Sequence, residues 1–164
     1  MITMKQRWAG TRSAFTLVEL IAVMVVLAIL AGVAAPRFFN YGDQAKTAAL
    51  EGSLGGMRSS IAQFYANMAM EDTARFPTLA ELEAPGEVMQ EALPRNPFNE
   101  LNTVQQIASR TSADNRAVSN TDQFGWNYYF DNASDPPMAV IWANSEDETE
   151  VSDSSGDPLT ANEL

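Results

Sequence analysis

Cysteine and histidine are both missing from this chain of 164 residues. Their absence excludes disulfides, thiolate nucleophiles, imidazole bases and zinc sites built from nitrogen and sulfur ligands. Carboxylates, Ser/Lys pairs and oxygen-ligated metals are the chemistries that remain. The sequence also lacks a glycine-rich phosphate loop and a pair of acids at a diagnostic spacing. The composition therefore predicts a protein that is not an enzyme and that has no bound cofactor.

Basic side chains are scarce, and they are unevenly distributed. The formal net charge is −11, from ten basic and 21 acidic residues. Lys5, Arg7 and Arg12 precede residue 15 with no acid among them, so residues 15–164 carry a net charge of −14. The strong negative charge of residues 15–164 argues against their binding to nucleic acid or to an anionic membrane surface. The small basic patch instead indicates membrane topology.

One long apolar run follows the basic patch. Residues 15–35 contain a single charged residue, Glu19. As a helix they would span about 32 Å at 1.5 Å per residue, close to the roughly 30 Å hydrocarbon core of a bilayer. Because the cations precede the run, residues 1–14 are expected in the cytoplasm and the rest on the periplasmic or extracytoplasmic side. The sequence predicts a single-pass inner-membrane protein.

Beyond the run, Pro36 predicts a kink or a local break, and the pattern then becomes amphipathic. Six apolar residues spaced 4, 3, 4, 3 and 4 lie on one face of a helix that should stop near Asp72: Leu50, Leu54, Met57, Ile61, Phe64 and Met68. The stripe is interpreted as the core of a small domain, and the alternative is a helix–helix seam between subunits.

The remaining sequence predicts short elements. Thr78 caps a helix over 78–83, and a second short helix is expected over 87–93. Two prolines make 94–98 a turn or an extended loop. Further predictions are a weak strand over 101–108, a polar loop over 109–122, and a hairpin of aromatic and β-branched strands over 124–130 and 138–143. Residues 144–164 hold seven acids and no base, and they are predicted to be a disordered tail.

Residues 12–20 carry the most specific motif, R-S-A-F-T-L-V-E-L. A short basic leader, a small residue and F-T-L-x-E-L opening an apolar run resemble the amino-terminal signal of type IV prepilins and type II secretion pseudopilins. The resemblance covers roughly residues 5–40. It implies cleavage between Ala14 and Phe15 by prepilin peptidase, followed by N-methylation of Phe15. The family usually has Gly at the position of Ala14, and Ala is also small.

The same resemblance assigns a role in assembly to Glu19, which would meet the positively charged terminal amine of a neighbouring subunit. A carboxylate at the centre of a membrane helix costs on the order of 2.5–3.5 kcal/mol, and less toward the end of the helix. Glu19 is only four residues from Phe15, so depth moderates this cost. The alternative is an acid near the lipid headgroups with no partner.

The implied fold is α+β and pilin-like, with a long amino-terminal helix packed on a small antiparallel sheet. The predicted divisions are a leader (1–14), a transmembrane and assembly helix (15–35), a globular domain (36–143) and the acidic tail (144–164). The implied function is that of a structural subunit of a type II secretion pseudopilus or a type IV pilus. The missing cysteines and the small sheet favour the pseudopilus. Prepilin peptidase, other pilin or pseudopilin subunits and inner-membrane assembly machinery are the expected partners.

Other interpretations compete with this one. Val33-Ala34-Ala35 superficially suits an ordinary signal peptidase, which would release a secreted domain with a binding role. Pro36 directly after that cut and Glu19 within the apolar region argue against it. An anchored enzyme or ligand-binding domain has no motif in its support. Calcium in the carboxy-terminal region stays open, with Asp131, Asp135, Glu146 and Asp147 as oxygen ligands and a solvated acidic loop as the alternative.

Overall fold

A computed structural model of the protein describes residues 15–164, apart from the side chains of residues 36–40. The predicted leader, residues 1–14, lies outside this range. Three helices and five strands follow in chain order: α1 (Leu17–Met70), α2 (Leu79–Glu83), β1 (Val104–Gln106), α3 (Arg110–Asp114), β2 (Trp126–Asp131), β3 (Met138–Ala143), β4 (Glu148–Ser152) and β5 (Pro158–Thr160). The α+β class that the sequence predicts is confirmed.

Helix α1 contributes to two compact units that divide after Asn40. We call residues 15–40 the amino-terminal unit and Tyr41–Leu164 the carboxy-terminal domain. The helical backbone continues through Pro36, so the predicted break is wrong at this residue, and the alternative, a kink, stays a prediction. A proline removes only one N–H from the hydrogen-bond ladder, and the turns before and after it keep theirs.

The end of α1 is close to the predicted position. Met70 is its last residue, and Asp72 adopts a left-handed φ of 57°. The backbone N–H of Thr73 then donates to the carbonyl of Met68 at 3.0 Å. This bond across a left-handed residue is the Schellman arrangement that terminates many helices.

The central sheet has the strand order β1-β2-β3. Strands β2 and β3 pair antiparallel, from Trp126 opposite Ala143 to Asp131 opposite Met138, which confirms the predicted hairpin. The weakly predicted strand forms as β1, but it pairs parallel to β2, so the sheet is mixed rather than wholly antiparallel. The chain between them includes α3 and crosses back before β2 begins, and a parallel pair requires such a crossover.

The amphipathic stripe of α1 forms the core of the carboxy-terminal domain. Leu50, Leu54, Met57 and Ile61 are 0–6% exposed and join one apolar cluster with side chains from the central sheet, including Trp126, Tyr128 and Ile141. Burying each such side chain contributes about 1.5–3 kcal/mol. The first four residues of the predicted stripe therefore form a core face within one subunit, whereas Phe64 and Met68 are half-buried and lie outside the core cluster.

Polar atoms of the core aromatics are paired. Trp126 Nε1 donates to the carbonyl of Pro94 at 2.8 Å, and the hydroxyl of Tyr128 donates to the carbonyl of Pro77, also at 2.8 Å. Burial raises the pKa of Tyr128. Pro77 lies before α2 and Pro94 lies after it, so both acceptors belong to the segment between α1 and the sheet. These bonds fix the proline-containing segments against the core, which explains why 94–98 is an ordered turn.

Two predicted assignments between the helix and the hairpin are wrong. Residues 87–93 form turns and bends rather than a helix, because Gly86 (φ 92°) and Pro94 bracket a segment too short to propagate one. Part of the predicted loop over 109–122 is helical instead, as α3. Its N-cap is Ser109, whose hydroxyl accepts from the backbone N–H of Ser112 at 3.4 Å.

The disordered tail predicted over 144–164 is also wrong. Strands β4 and β5 pair antiparallel there. The pairing buries small side chains: Thr149 is 6% exposed and Ala161 is completely buried. The backbone N–H of Glu150 also donates to Thr47 Oγ1 of α1 at 3.2 Å. The acids at 148 and 150 face solvent on either side of Thr149, so an acidic composition is compatible with an ordered strand of period two.

Candidate functional site

The surface of the helix over Leu17–Ala35 is apolar and uncovered. Leu17–Ala35 has a mean hydropathy of 2.8, and none of it is buried. Thirteen large apolar side chains between Phe15 and Val33 are each more than half exposed. A helix this long and apolar can cross a bilayer, although a signal sequence has the same properties. The segment needs lipid or other protein to cover it.

This apolar surface has no polar face. The five consecutive residues 23–27 are Val, Met, Val, Val and Leu, and each is at least half exposed. Five residues exceed one turn of 3.6 residues, so apolar side chains encircle the helix. A helix that lies in a membrane interface would need one charged or polar side. The segment is therefore suited to a wholly apolar surrounding.

Glu19 is held in the first turn of α1 by Thr16. Its Oε2 accepts from the backbone N–H of Thr16 at 2.9 Å and from Thr16 Oγ1 at 3.1 Å. In return, Thr16 Oγ1 accepts from the backbone N–H of Glu19 at 3.2 Å. These reciprocal bonds form a capping box, which satisfies backbone N–H groups that a helix start leaves unpaired. Within residues 15–164, the other carboxylate oxygen, Oε1, accepts no hydrogen bond.

Phe15 immediately precedes this box and is 78% exposed. It is four residues from Glu19 and two residues before Leu17, the first residue of α1. The structure therefore places the assigned methylation residue and the assigned assembly residue at the same end of one apolar helix. Ala14 lies outside the described range, so cleavage at Ala14–Phe15 and methylation of Phe15 stay predictions.

Thr16 is the residue that sequence reasoning missed. Its spacing T-x-x-E to Glu19 is a capping-box signature, and this signal could have identified it. The chain uses the same spacing twice more, at Thr78–Glu81 and at Thr160–Glu163, with threonine-to-carboxylate bonds of 2.8 Å in both. The full box recurs at the start of α2. At Thr160, the last residue of β5, the carboxylate accepts in the same way, but the backbone N–H of Glu163 donates to the carbonyl of Thr160 at 3.0 Å.

The box at α2 carries an ion pair in addition. Arg75 donates to both carboxylate oxygens of Glu81, at 2.8 and 2.7 Å. This pair, together with the bonds from Thr78, lowers the pKa of Glu81 to about 2. Thr78 is the N-cap that the sequence predicts. The box therefore stabilises the start of α2 and joins it to the chain that follows α1.

The four acids considered for calcium do not form one site. Asp131 ends β2 and accepts from the backbone N–H groups of Ala133 and Ser134, whereas Glu146 and Asp147 follow the far end of β3. A six-residue hairpin separates its two ends by roughly 17–20 Å. In the described part of the chain, no three acidic side chains come together as a metal site.

Comparison with known proteins adds two findings. Residues 11–35 match a family model, the prokaryotic N-terminal methylation motif. Over 48 residues the chain is 42% identical to the type IV narrow pilus major component PilA5 of Thermus thermophilus. That match covers 29% of this chain and 41% of the relative's length. No solved structure gives a significant match.

Proposed function

We propose that this chain belongs to the type IV pilin and pseudopilin family and is a structural filament subunit. Its methylation motif and its partial relative support this proposal. The filament is a type II secretion pseudopilus or a type IV pilus. Prepilin peptidase cleaves the precursor after Ala14 and methylates Phe15, and the mature chain polymerises through its apolar helix. The observation that carries the proposal is the motif at 11–35, which opens directly into an encircling apolar surface.

The apolar surface supports two successive surroundings. Lipid covers it first, and the equivalent helices of neighbouring subunits cover it in the filament. Lipid tails are about as apolar as leucine side chains, so exchanging one cover for the other carries little hydrophobic cost. Exposure to water, in contrast, would cost about 1.5–3 kcal/mol for each large side chain. The subunit thus remains in the membrane until other subunits are present.

Charge asymmetry supports the orientation. Three cations precede the apolar helix, and the rest of the chain is strongly acidic. The positive-inside bias keeps residues 1–14 in the cytoplasm, where the peptidase and the inner-membrane assembly machinery act on them. The carboxy-terminal domain then lies on the extracytoplasmic side and forms the outside of the filament. The role is structural, and no catalytic step is assigned to the chain.

The first experiment is intact mass and amino-terminal sequencing of protein recovered from its native membrane. The expected mature chain begins with Phe15 and carries the mass of one added methyl group. An unmethylated chain that begins at Ala35 or Pro36 would indicate an ordinary signal peptide and a secreted domain, and the filament role would be withdrawn.

A pair of leader variants tests the processing step directly. Ala14→Glu places a charged, larger side chain at the cleavage position and should leave the precursor at full mass. Ala14→Gly is the matched control, because it keeps a small residue there and should be processed. Normal cleavage of Ala14→Glu would show that the peptidase does not require a small residue at this position.

Glu19 offers a test that separates its charge from its hydrogen bonds. Glu19→Ala removes both, whereas Glu19→Gln keeps an acceptor for Thr16 and removes the charge. If Glu19 meets a terminal amine, both variants should insert and be cleaved, and both should be depleted from sheared filaments. Normal incorporation of Glu19→Gln would restrict the role of Glu19 to capping the helix.

The two kinds of filament are distinguished by deletion of the chain. The Thermus relative is named as a component of a type IV pilus, whereas the absence of cysteine and the small sheet favour a secretion pseudopilus. Loss of surface fibres with normal protein secretion would identify a pilus subunit. Loss of secretion with surface fibres intact would identify a pseudopilus subunit.

A further inference from the structure

A cavity in the carboxy-terminal domain brings two arginines together. It has a volume of about 270 Å³ and lies between α1 and β3. Arg58 and Arg116 line it, and its apolar wall includes Ile61, Phe76, Val140 and Ile141. The arginines are 58 positions apart in sequence. The cavity therefore combines an apolar wall with positive charge in a chain whose residues 15–164 are strongly acidic.

Neither arginine forms an ion pair within residues 15–164, although the charge of Arg116 helps to lower the pKa of the exposed Glu163 carboxylate. The ion pairs there are Arg75–Glu81 and Arg110–Asp114. Arg58 instead donates to the carbonyl of Ile141 at 3.3 Å, and Arg116 donates to carbonyls of residues 162 and 163. Desolvation and the charge of Arg116 lower the pKa of Arg58. Two like charges in a half-open cavity are unfavourable until an anion joins them.

A complementary surface lies at the end of α1. The side chain of Met70 is 85% exposed. Within the carboxy-terminal domain, Tyr41 is the one other large apolar residue whose side chain is exposed. Glu71 and Asp72 follow it, both exposed. The last turn of α1 holds no basic residue, so these acids add to the negative end of the helix dipole. We call residues 70–72 the acidic corner.

We propose that the acidic corner of one copy of this chain docks in the Arg58/Arg116 cavity of a neighbouring copy. This inference rests on the proposed filament role. The flexible thioether side chain of Met70 suits an irregular apolar wall. Carboxylates of Glu71 and Asp72 would form charge-assisted hydrogen bonds to the two guanidinium groups.

Tyr41 is the other exposed apolar side chain, and it fits the cavity less well. Its nearest acid is Asp43, two positions away on the same helix. Residues at i and i+2 do not share a helix face, so Tyr41 and Asp43 cannot enter one cavity together. The acidic corner also offers two carboxylates for two arginines. Charge complementarity therefore favours the corner as the occupant.

The contact joins two different surfaces of the chain, and this determines the kind of assembly that the copies form. A contact of this kind is heterologous, so a pair of copies still has one free cavity and one free corner. Such a series builds an open helical filament when its rotation does not close a ring. Met70 follows Ala62 by eight residues and Arg58 by twelve. For copies with parallel α1 helices, docking therefore predicts an axial displacement of about 12–18 Å.

Cysteine cross-linking tests the contact without background, because the chain contains no cysteine. Met70→Cys is placed in one tagged copy and Ala62→Cys, at the cavity, in a second. The pair should cross-link in sheared filaments from native membranes. Gln63→Cys is the matched control, since it lies at the same level of α1 but lines a different groove. It should cross-link to Met70→Cys at least about threefold less.

The outcomes separate the two proposals. If wild-type filaments form and Met70→Cys does not cross-link to Ala62→Cys, the docking inference is overturned and the filament role stands. A cross-link from Tyr41→Cys in place of Met70→Cys would likewise overturn the assignment of the corner. If no filament contains the chain at all, both proposals fall.

Charge reversal tests the same contact independently. Arg58→Glu and Glu71→Lys should each lower the yield of the cross-link at least about threefold, and the two changes combined should restore it. Arg110→Glu, at an exposed arginine that does not line the cavity, should leave the yield unchanged. Thermal unfolding of each variant shows whether the domain still folds. Failure of the combined variant to recover, with the domain folded, would refute the pairing.

Discussion

The two halves of α1 use apolar side chains in opposite ways. In the amino-terminal unit they encircle the helix and none of Leu17–Ala35 is buried. In the carboxy-terminal domain they occupy one stripe, and Leu50, Leu54 and Met57 are at most 1% exposed. The arrangement of apolar residues around the helix, and not their presence, therefore decides whether a half completes its own core or requires an external cover.

A core substitution should show that the carboxy-terminal domain completes its own core. Trp126→Ala removes a fully buried side chain and its bond to Pro94, and it should lower the free energy of unfolding by about 3–5 kcal/mol. Urea unfolding of the detergent-solubilised full chain, followed by the near-UV circular dichroism of its buried aromatic side chains, measures this. Leu27→Ala, in the amino-terminal unit, should leave the midpoint unchanged. Equal losses from the two variants would contradict the division.

A charge in the amino-terminal unit should have the reverse effect. Val26→Arg places a guanidinium near the middle of the apolar helix, at a cost of about 2.5–3.5 kcal/mol for membrane insertion. The protein should shift out of the carbonate-resistant membrane fraction, while unfolding of the carboxy-terminal domain stays the same. Val26→Leu is the control for a change of size. Normal membrane retention of Val26→Arg would argue against a membrane-spanning segment.

Acid should weaken the carboxy-terminal domain through Glu81. The pKa of this carboxylate falls from 4.5 to about 2 on folding, so its stabilising contribution is complete above pH 4.5 and is lost as the pH falls toward 2. Glu81→Gln should cost about 1–2 kcal/mol at pH 7, and the difference from wild type should shrink across that window. Urea unfolding at several pH values measures it. Glu83→Gln, an exposed position on the same helix, should show no such trend.

The smallest expected effect lies at a glycine within the carboxy-terminal domain. A Cβ at Gly56 meets no atom within 4 Å, so Gly56→Ala should raise the stability of the carboxy-terminal domain by about 0.5–1 kcal/mol through helix propensity. Gly125→Ala is its counterpart, because the added Cβ would overlap the carbonyl of Leu101 and must destabilise the domain. Thermal unfolding of the two variants should shift in opposite directions.

Much of the domain follows from local patterns. The hairpin of β2 and β3 was predictable because its strands are aromatic and β-branched between turn residues. Thr78 was predictable as a cap because Glu81 follows at the capping-box spacing. The stripe on α1 was predictable because helical periodicity persists over more than five turns. In each case neighbouring residues along the chain carry the information.

The missed features depend on residues distant in sequence. The buried positions of the β4–β5 hairpin are small residues such as Thr149 and Ala161, which give no apolar signal against seven acids. The parallel direction of β1 depends on how the chain crosses back before β2. Arg58 and Arg116 meet only after α1 and the sheet have packed. Glu19 was identifiable because its signal lies within the motif, and the cavity had no such motif.

The link between Glu150 and Thr47 has a consequence for the order of folding. It joins residues 103 positions apart, and Ala161 packs in the same cluster as Leu50 and Leu54. The apolar stripe of α1 therefore cannot be fully covered until residue 161 has left the ribosome. Contacts of such separation form slowly, and an open apolar face promotes aggregation meanwhile. During synthesis, part of the stripe therefore stays exposed until almost the whole chain has been made.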